Sequence, residues 1–282
     1  MGLEDESLFC FYCIPFLNMV KSALIWDLDH YDGELIMSDL RYKVINQTGS
    51  RASEMDLGLR GYMMKVYGYM FMGLILTGFM AFSVTQVPAL QQLLFAVDAT
   101  GRYVPSGFTW LLFFAQLGTV FYLSLRINQL RAATARLIFL GYAMLMGLSL
   151  SSIFLVYTGA SLTRVFFITS SVFGIMSLYG YITKRDLSGL GSFFLMGLIG
   201  VVLASVVNIF LKSSMMEFII SILGVIIFTG LTAYDTQRVK EIYYEHDSGE
   251  VQSKKAVMGA LALYLDFINL FLLLLRFLGD RR

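Results

Sequence analysis

Long unbroken apolar stretches alternate with short polar segments along most of this 282-residue chain. Each stretch reaches the roughly 20 residues that a helix needs to cross a bilayer core of about 30 Å. The strands of a membrane barrel would instead alternate over segments of about ten residues. The pattern therefore predicts seven transmembrane helices, at residues 66–87, 107–127, 134–157, 162–182, 190–211, 215–234 and 256–278.

The composition agrees with this pattern. Hydrophobic residues make up 57% of the chain and charged residues 15%, whereas soluble domains have roughly 45–50% apolar and about 25% charged residues. The net charge is only +1, and no basic run is interleaved with aromatic residues, which excludes a nucleic-acid partner. We expect an all-α integral membrane protein that has the lipid bilayer as a partner.

Lysines and arginines in short loops indicate the orientation, because cytoplasmic loops carry the excess of positive charge. With the N-terminus in the cytoplasm, the opposite loops contain only Arg102, Arg164 and Lys212. The C-terminus departs from this rule, because a full seventh span puts Arg281 and Arg282 outside. Two topologies stay open: the last segment spans the membrane fully, which we favour, or it re-enters and returns to the cytoplasm.

The start of the chain differs from the rest. The apolar run LFCFYCIPFLNMV follows acidic residues, has no small-residue cleavage site and is too short to span a bilayer. Cys10 and Cys13 have the spacing of a redox or metal pair, but no second pair and no histidine pair accompanies them, which disfavours that function. We predict a disordered or non-native extension over residues 1–36, a cytoplasmic tail over 37–65 and the transmembrane domain over 66–282.

One acid lies in each of the last two apolar segments, Asp235 at the end of the sixth and Asp266 inside the seventh. A carboxylate near the bilayer centre costs about 2.5–3.5 kcal/mol, so such acids tend to mark ion or proton paths. Gly259, Ala262, Asp266 and Asn269 follow at spacings of three, four and three, which predicts one helical face that meets another helix and not lipid. The alternative is that Asp266 only hydrogen-bonds a neighbouring backbone group or tyrosine.

Motifs of catalysis and of cofactor binding are missing from the sequence. Its two histidines, His30 and His246, lie in polar segments, and neither an HExxH, a GxSxG nor a phosphate-binding loop occurs. An intramembrane aspartyl protease would pair Asp235 with an acid in a GxGD pattern, whereas Asp266 follows Leu-Tyr-Leu. We therefore predict that the protein is not an enzyme and needs no cofactor.

Other polar residues inside the spans admit two interpretations. Asn208, Gln116 and the serines at 149, 151 and 152 either line a path or join helices. Hydrogen bonds between membrane helices commonly contribute about 1 kcal/mol each. We favour the second interpretation for these residues.

The sequence resembles the Bax inhibitor-1 family of transmembrane BAX inhibitor motif proteins, in its bacterial form, in five ordered blocks: MGLSLSSIFLVYT, SLYGYITKRDLSGLGSFFLMGLIG, VNIFL, FTGLTAYDTQRVK and GALALYLDFINLFLLLLRFLG. The resemblance runs from about residue 55 to the C-terminus. It implies seven helices, with two three-helix layers around a central C-terminal helix. It also implies a passive, pH-sensitive calcium leak in the bacterial cytoplasmic (inner) membrane.

The resemblance also assigns roles to individual residues. Asp235 of YDTQ and Asp266 of LYLDF become a pair that shares a proton, senses pH and binds calcium weakly and transiently. Some members have a glutamate in the second helix and an arginine after it, and here Gln116 and Arg126 take those places, so an acid–arginine gate lacks its acid. Three residues are expected to support the gate or the ion path: Arg126, Asn269 and Asn208.

A second function stays open. Bacterial relatives also suggest a membrane-embedded regulator that binds a partner such as a membrane-anchored AAA protease and transports nothing. Its contact surface would be the N-terminal tail at residues 37–65. Removal of the tail separates the two functions, because a leak would survive the truncation and protease regulation would fail.

Overall fold

The computed structural model of the chain describes residues 50–97 and 103–281. The predicted extension at residues 1–36, with Cys10 and Cys13, lies outside these ranges, as do residues 37–49 of the predicted tail. The described part contains nine α-helices and a hairpin of two antiparallel strands. Their bounds are α1 Ser50–Gln86, α2 Pro88–Leu94, β1 Phe95–Val97, β2 Tyr103–Pro105, α3 Gly107–Arg126, α4 Ala132–Leu150, α5 Ser152–Val156, α6 Gly159–Ile182, α7 Ser188–Leu211, α8 Ser214–Glu241 and α9 Gly249–Leu278.

Seven helical segments within the described ranges are long and apolar enough to cross a membrane: residues 57–86 of α1, then α3, α4 with α5, α6, α7, α8 and α9. The prediction of an all-α protein with seven transmembrane helices is confirmed. The first helix begins earlier than the predicted span, because Arg60 and Lys65 interrupt the apolar run but not the helix. Its 37 residues reach about 55 Å, well beyond a bilayer core of about 30 Å.

The two ends of the bundle differ in charge. At the end where α1, α4 and α9 begin, the helices and loops carry most of the lysines and arginines, and we call it the basic end. The opposite end carries the two strands that join α2 to α3, and we call it the hairpin end. The helices alternate between these ends along the chain, as seven successive spans require.

The last helix, α9, lies in the centre of the bundle. Its most apolar stretch is 100% buried, whereas the corresponding stretches of the other six spans are only 22–50% buried. α1, α4, α6 and α8 make its main helix contacts, while α3 packs on α4 and α7 packs on α8. The predicted central helix is confirmed, and the division of the other six helices into two layers stays a prediction.

The C-terminal segment lies at the hairpin end and is attached to the start of α6. The backbone N–H of Asp280 donates to Ser161 Oγ at 2.9 Å, and the N–H of Thr158 donates to the Asp280 carbonyl at 3.2 Å. Arg164 also forms an ion pair with the Asp280 carboxylate at 2.7 Å. α9 therefore crosses the bundle as one uninterrupted 30-residue helix. This is the favoured full span, and no turn-back interrupts it as a re-entrant segment would require.

Small residues allow the inner helices to approach each other closely. A Cβ atom added at Gly180 of α6 would lie 2.1 Å from the carbonyl oxygen of Ala233 of α8, so the two backbones touch there. Deeper in the core, Thr77 Oγ1 of α1 lies 2.7 Å from the Tyr264 hydroxyl of α9 and donates to the Ala143 carbonyl of α4 at 2.9 Å. Such crossings and hydrogen bonds are the usual means by which membrane helices associate.

Candidate functional site

α9 presents its small and polar face to other helices. Asp266 and Asn269 are both 0% exposed, and a Cβ atom at Gly259 would lie 2.8 Å from Val239 of α8. Asn269 Nδ2 donates to the Leu265 carbonyl at 2.8 Å, and its Oδ1 has no hydrogen-bond partner within the described residues. The face thus meets protein and not lipid, as its spacing predicted.

Two contacts define the register of α8 and α9, which run antiparallel. Gly259 faces α8 near the basic end, and Gly224 faces Leu273 towards the hairpin end. Counted from the Gly259–Val239 contact towards the hairpin end, Asp235 lies one helical turn away on α8. Asp266 lies two turns away in the same direction on α9. The two positions are therefore about one turn, or about 5 Å, apart along the helix axes. The structure brings both predicted aspartates, which are 2% and 0% exposed, to the same region of this helix pair.

A buried cation lies in the same region. Arg238 follows Asp235 by three residues and is 5% exposed, and its guanidinium carbon lies 6.0 Å from the centre of the Tyr234 ring. Residues three apart share one side of a helix. A nearby cation favours an ionised carboxylate, whereas burial favours the neutral acid. Sequence reasoning treated Arg238 only as an inside-positive charge, although its spacing from Asp235 was a signal that could have identified it.

Hydroxyl groups from three helices meet beside this region. Ser177 Oγ of α6 lies 2.6 Å from the Tyr67 hydroxyl of α1 and 3.0 Å from Thr236 Oγ1 of α8. Thr236 Oγ1 in turn donates to the Thr232 carbonyl at 2.8 Å. Because that bond uses the only hydroxyl hydrogen of Thr236, the chain of donors runs from Tyr67 through Ser177 to Thr236. These bonds hold α1, α6 and α8 together one residue from Asp235.

The end of α8 also holds the loop between α6 and α7. The Gln237 side-chain amide donates to the Arg185 carbonyl and accepts from the Leu187 backbone N–H, both at 2.8 Å. Lys240 Nζ donates to the Tyr181 carbonyl at 3.0 Å. The sequence TKRDLS, which inside-positive topology alone could explain, is therefore bound to the helix that carries Asp235.

The start of α7 adds a local contact in the same loop. The backbone N–H of Ser188 donates to the Asp186 carboxylate at 2.8 Å. Hydrogen bonds from the Ser188 side chain and backbone hold the pKa of the Asp186 carboxyl below its usual range. Asp186 is exposed, and its charge therefore stays in solvent and outside the helix pair.

The turn from α8 to α9 contains a buried ion pair. Lys255 Nζ lies 2.7 Å from the Asp247 carboxylate and donates to the Ile242 carbonyl at 2.9 Å, and the two charged side chains are only 5% and 12% exposed. In the next turn, Glu250 Oε1 accepts from the backbone N–H of Ala132 at 2.5 Å, which caps α4. Both contacts fix the start of α9 at the basic end.

The remaining candidates lie elsewhere in the bundle. Asn208 is buried at the hairpin end, where its Oδ1 accepts from the Ser213 N–H at 3.0 Å and closes the turn after α7. Arg126 is exposed at the basic end of α3 and donates to the Gln129 side chain. Of the three expected supporting residues, only Asn269 lies on the helix face that carries Asp266.

Gln116 joins two helices. Its Nε2 donates to the Leu145 carbonyl at 2.8 Å and to Ser149 Oγ at 2.5 Å, both on α4. Ser151 Oγ likewise donates to a backbone carbonyl, that of Leu148, within its own turn. The helix-joining interpretation is therefore confirmed for Gln116 and Ser149.

Known proteins resemble the same part of the chain. The family model described as "Inhibitor of apoptosis-promoting Bax1" matches residues 59–282. The chain belongs to the Bax inhibitor-1 family. The resemblance in the five sequence blocks is thereby confirmed, and the matched residues include every helix that carries the candidate site.

Bacterial relatives of the family match most of the chain. It is 49% identical over 235 residues to the uncharacterized protein RP147 of Rickettsia prowazekii, and the aligned region covers 83% of this chain and 96% of the relative. It is 49% identical over 227 residues to the inner membrane protein YbhL of Escherichia coli K12, with 80% and 94% covered. It is 37% identical to a membrane protein of Streptococcus pyogenes, SpyM3_0260, with 80% and 96% covered.

The buried oxygen atoms near the helix pair belong to few side chains. Within the described residues, no group of three or more His, Cys, Asp or Glu side chains gathers to hold a metal ion. Asp235, Asp266 and the Asn269 amide supply oxygen ligands, the kind that calcium takes, but fewer than the six to eight of a tight calcium site.

Proposed function

We propose that this protein is a passive, pH-sensitive calcium leak in which Asp235 and Asp266 form the gate. One observation carries the proposal: two buried acids, Asp235 and Asp266, lie on the contact between α8 and the central helix, offset by about one turn along the helix axes. A structural core gains nothing from two buried acids, because intramembrane acids are costly and are kept where ions or protons pass.

The gate works through charge. Two ionised carboxylates in one buried region repel each other more strongly than they would in water, because the protein interior has a lower effective dielectric constant. One shared proton removes that repulsion, and Arg238 then balances the single remaining negative charge. When pH rises and the proton leaves, the pair carries one excess negative charge, α8 and α9 are pushed apart, and the basic end loosens.

The neighbouring groups determine what the gate must break. On α6 and α1 the facing polar groups are the hydroxyls of Ser177 and Tyr67, which are bonded to Thr236 of α8. At the basic end the nearest buried charges, Lys255 and Asp247, neutralise each other. Separation of α8 from α9 near the basic end therefore acts against neutral hydrogen bonds and packing, while the Arg276–Glu217 ion pair at 3.5 Å joins the two helices at the hairpin end.

The orientation follows the charges of the two ends. Lysine and arginine favour the cytoplasmic side, so we place the basic end and the N-terminus in the cytoplasm. The relative YbhL is named an inner membrane protein, and we extend that location to this chain. The aspartate pair then lies towards the cytoplasmic side, where a change in cytoplasmic pH reaches it.

Calcium flux into liposomes between pH 5 and pH 8 tests the proposal. Wild-type flux should rise with pH, and Asp235→Asn or Asp266→Asn should give flux that no longer depends on pH, because each change removes the shared ionisation and keeps the shape. Asp186→Asn is the matched control, since it removes an exposed acid from the adjacent loop and should keep the wild-type profile. If both Asn variants at the pair also keep that profile, the gate lies elsewhere.

The length of α1 favours the second candidate, a regulator that binds a membrane-anchored protease. The helix begins at Ser50 and is about 25 Å longer than the bilayer core, so its first turns project at the basic end. Deletion of residues 37–56 should abolish protease regulation and leave calcium flux intact. Flux that is lost together with regulation would contradict two separable functions.

A further inference from the structure

A lateral groove opens between α1 and α6 in the hairpin half of the bundle. Its walls are residues 74–86 of α1 and 159–167 of α6, and its floor includes Phe267 and Phe271 of α9. Residues 150–155, where α4 ends and α5 follows, and Gln91 of α2 complete the lining at the hairpin end. The cavity volume is about 1070 Å³. The α1 and α6 walls belong to membrane-spanning segments, and wall side chains such as Phe82 and Phe167 are exposed, so the groove opens towards the bilayer.

The groove has the length of one leaflet. Residues 74–86 of α1 line it along about 18 Å of helix, and half of a bilayer core measures about 15 Å. It begins at Leu74, about two-thirds of the way along α1 and one turn before Thr77, and ends where α1 ends at Gln86. A chain that enters from the hairpin-end leaflet would fill it from the headgroup level to the centre of the membrane.

The polarity of the groove changes along this length. Its deep part is apolar and aromatic, with Phe166 of α6 packed edge-on against Phe267 at a ring distance of 5.7 Å. Its mouth carries polar side chains, where Gln91 Nε2 donates to the Thr85 carbonyl at 3.0 Å and Gln86 Nε2 donates to Thr85 Oγ1 at 3.2 Å. An amphipathic groove of this kind matches an amphipathic ligand that enters tail first.

We propose that the groove binds one phospholipid of the hairpin-end leaflet, with an acyl chain over Phe267 and Phe271 and its ester region at Gln86 and Gln91. Water would need about 35 molecules to fill this volume, and the apolar deep part offers them few hydrogen-bond partners. Occupancy would place lipid on the same turn of α9 that carries Asp266.

Two glycines of α1 provide a matched test. A Cβ atom at Gly78, which lines the groove, or at Gly68, ten residues nearer the basic end, would meet nothing within 4 Å. Gly78→Phe therefore fills the groove without a backbone clash, and Gly68→Phe adds the same side chain outside it. Both variants should unfold at temperatures close to that of the wild type.

Native mass spectrometry counts the lipid. Delipidated protein in detergent is titrated with dioleoyl phosphatidylethanolamine, and wild type and Gly68→Phe should each retain one lipid per chain while Gly78→Phe loses it. Equal retention by all three proteins overturns the proposal, and so does loss from both variants. A retained free fatty acid, or a second copy of the chain in place of lipid, also overturns it.

A fluorescence measurement keeps the proposal testable if Gly78→Phe fails to fold. With both native tryptophans replaced by phenylalanine, Phe82→Trp reports from the groove wall and Phe79→Trp reports from the next exposed position on α1. Phospholipid with brominated chains should quench the tryptophan at position 82 with saturation at one lipid per chain, and should quench the one at position 79 without such saturation. Identical quenching curves overturn the proposal.

Discussion

An ion pair lies at each end of the bundle, and the two pairs differ in their surroundings. At the basic end, Lys255 and Asp247 are 2.7 Å apart and are 5% and 12% exposed. At the hairpin end, Arg164 and Asp280 are also 2.7 Å apart but are 54% and 69% exposed. Equal distances therefore do not imply equal strength, because water screens the second pair and hardly reaches the first.

The same contrast extends to the helices between the ends. The basic half is closed by side-chain bonds that cross between helices, such as those of Gln237 and Ser177. The hairpin half is joined by its C-terminal segment and by the Arg276–Glu217 ion pair between α9 and α8, and it contains the groove between α1 and α6. Cross-helix side-chain bonds therefore lie close to Asp235, whereas the groove lies in the hairpin half.

Loss of the buried lysine should have the largest effect. Lys255→Met leaves Asp247 buried without its cation, so the free energy of unfolding should fall by about 3–5 kcal/mol. Unfolding in mixed micelles with a denaturing detergent measures it. The neighbouring Lys254→Met is the control, because that amine bonds only the Asn128 carbonyl at an exposed site, and it should change stability by less than about 0.5 kcal/mol. Similar losses in both variants would remove the distinction between the two ends.

A change at the tightest helix crossing should have an intermediate effect. Gly180→Ala places a methyl group against the Ala233 carbonyl, and overpacking of this kind should lower stability by about 1–3 kcal/mol. Gly174→Ala on the same helix has open space and should be neutral or stabilising, by up to about 1 kcal/mol. The same unfolding assay compares them, and a neutral Gly180→Ala would show that the basic half is loosely packed.

Loss of the exposed pair should have the smallest effect. Arg164→Met should change the free energy of unfolding by no more than about 1 kcal/mol. The change should shrink further in high salt, because exposed charges are screened over about 3 Å at 1 M ionic strength. Measurement at low and high salt separates screening from packing. A large loss in the free energy of unfolding that salt does not reduce would show that this pair stabilises the fold as strongly as the Lys255 pair does.

The fold was largely predictable because hydropathy is a local property. The stretches of about 20 apolar residues gave all seven spans, although Arg60 and Lys65 concealed the start of α1. The break between α4 and α5 at Ser151 was missed, since it depends on a local turn closed by the Ser151 hydroxyl and the Leu148 carbonyl. Apolar runs identify a membrane segment but not a bend inside it.

The site was only partly predictable. Asp266 was identifiable as a lone acid in an apolar run, and its face was correctly predicted to meet protein. Gln237 and Lys255 were not identified, because Gln237 bonds backbone atoms of a loop about 50 residues away and Lys255 bonds the turn before α9. Partners that come together only through tertiary folding leave no periodicity in the sequence.

The enclosure of α9 has a consequence for biosynthesis. α9 is the last spanning helix of the described chain, so the ribosome delivers the surrounding helices to the membrane before the helix that they enclose. Domains form in the order of synthesis, and the inner faces of α1, α4, α6 and α8 must therefore wait in lipid without their common partner. A nascent chain that stalls before residue 249 presents these faces to membrane quality control, whereas the completed chain conceals them in one insertion step.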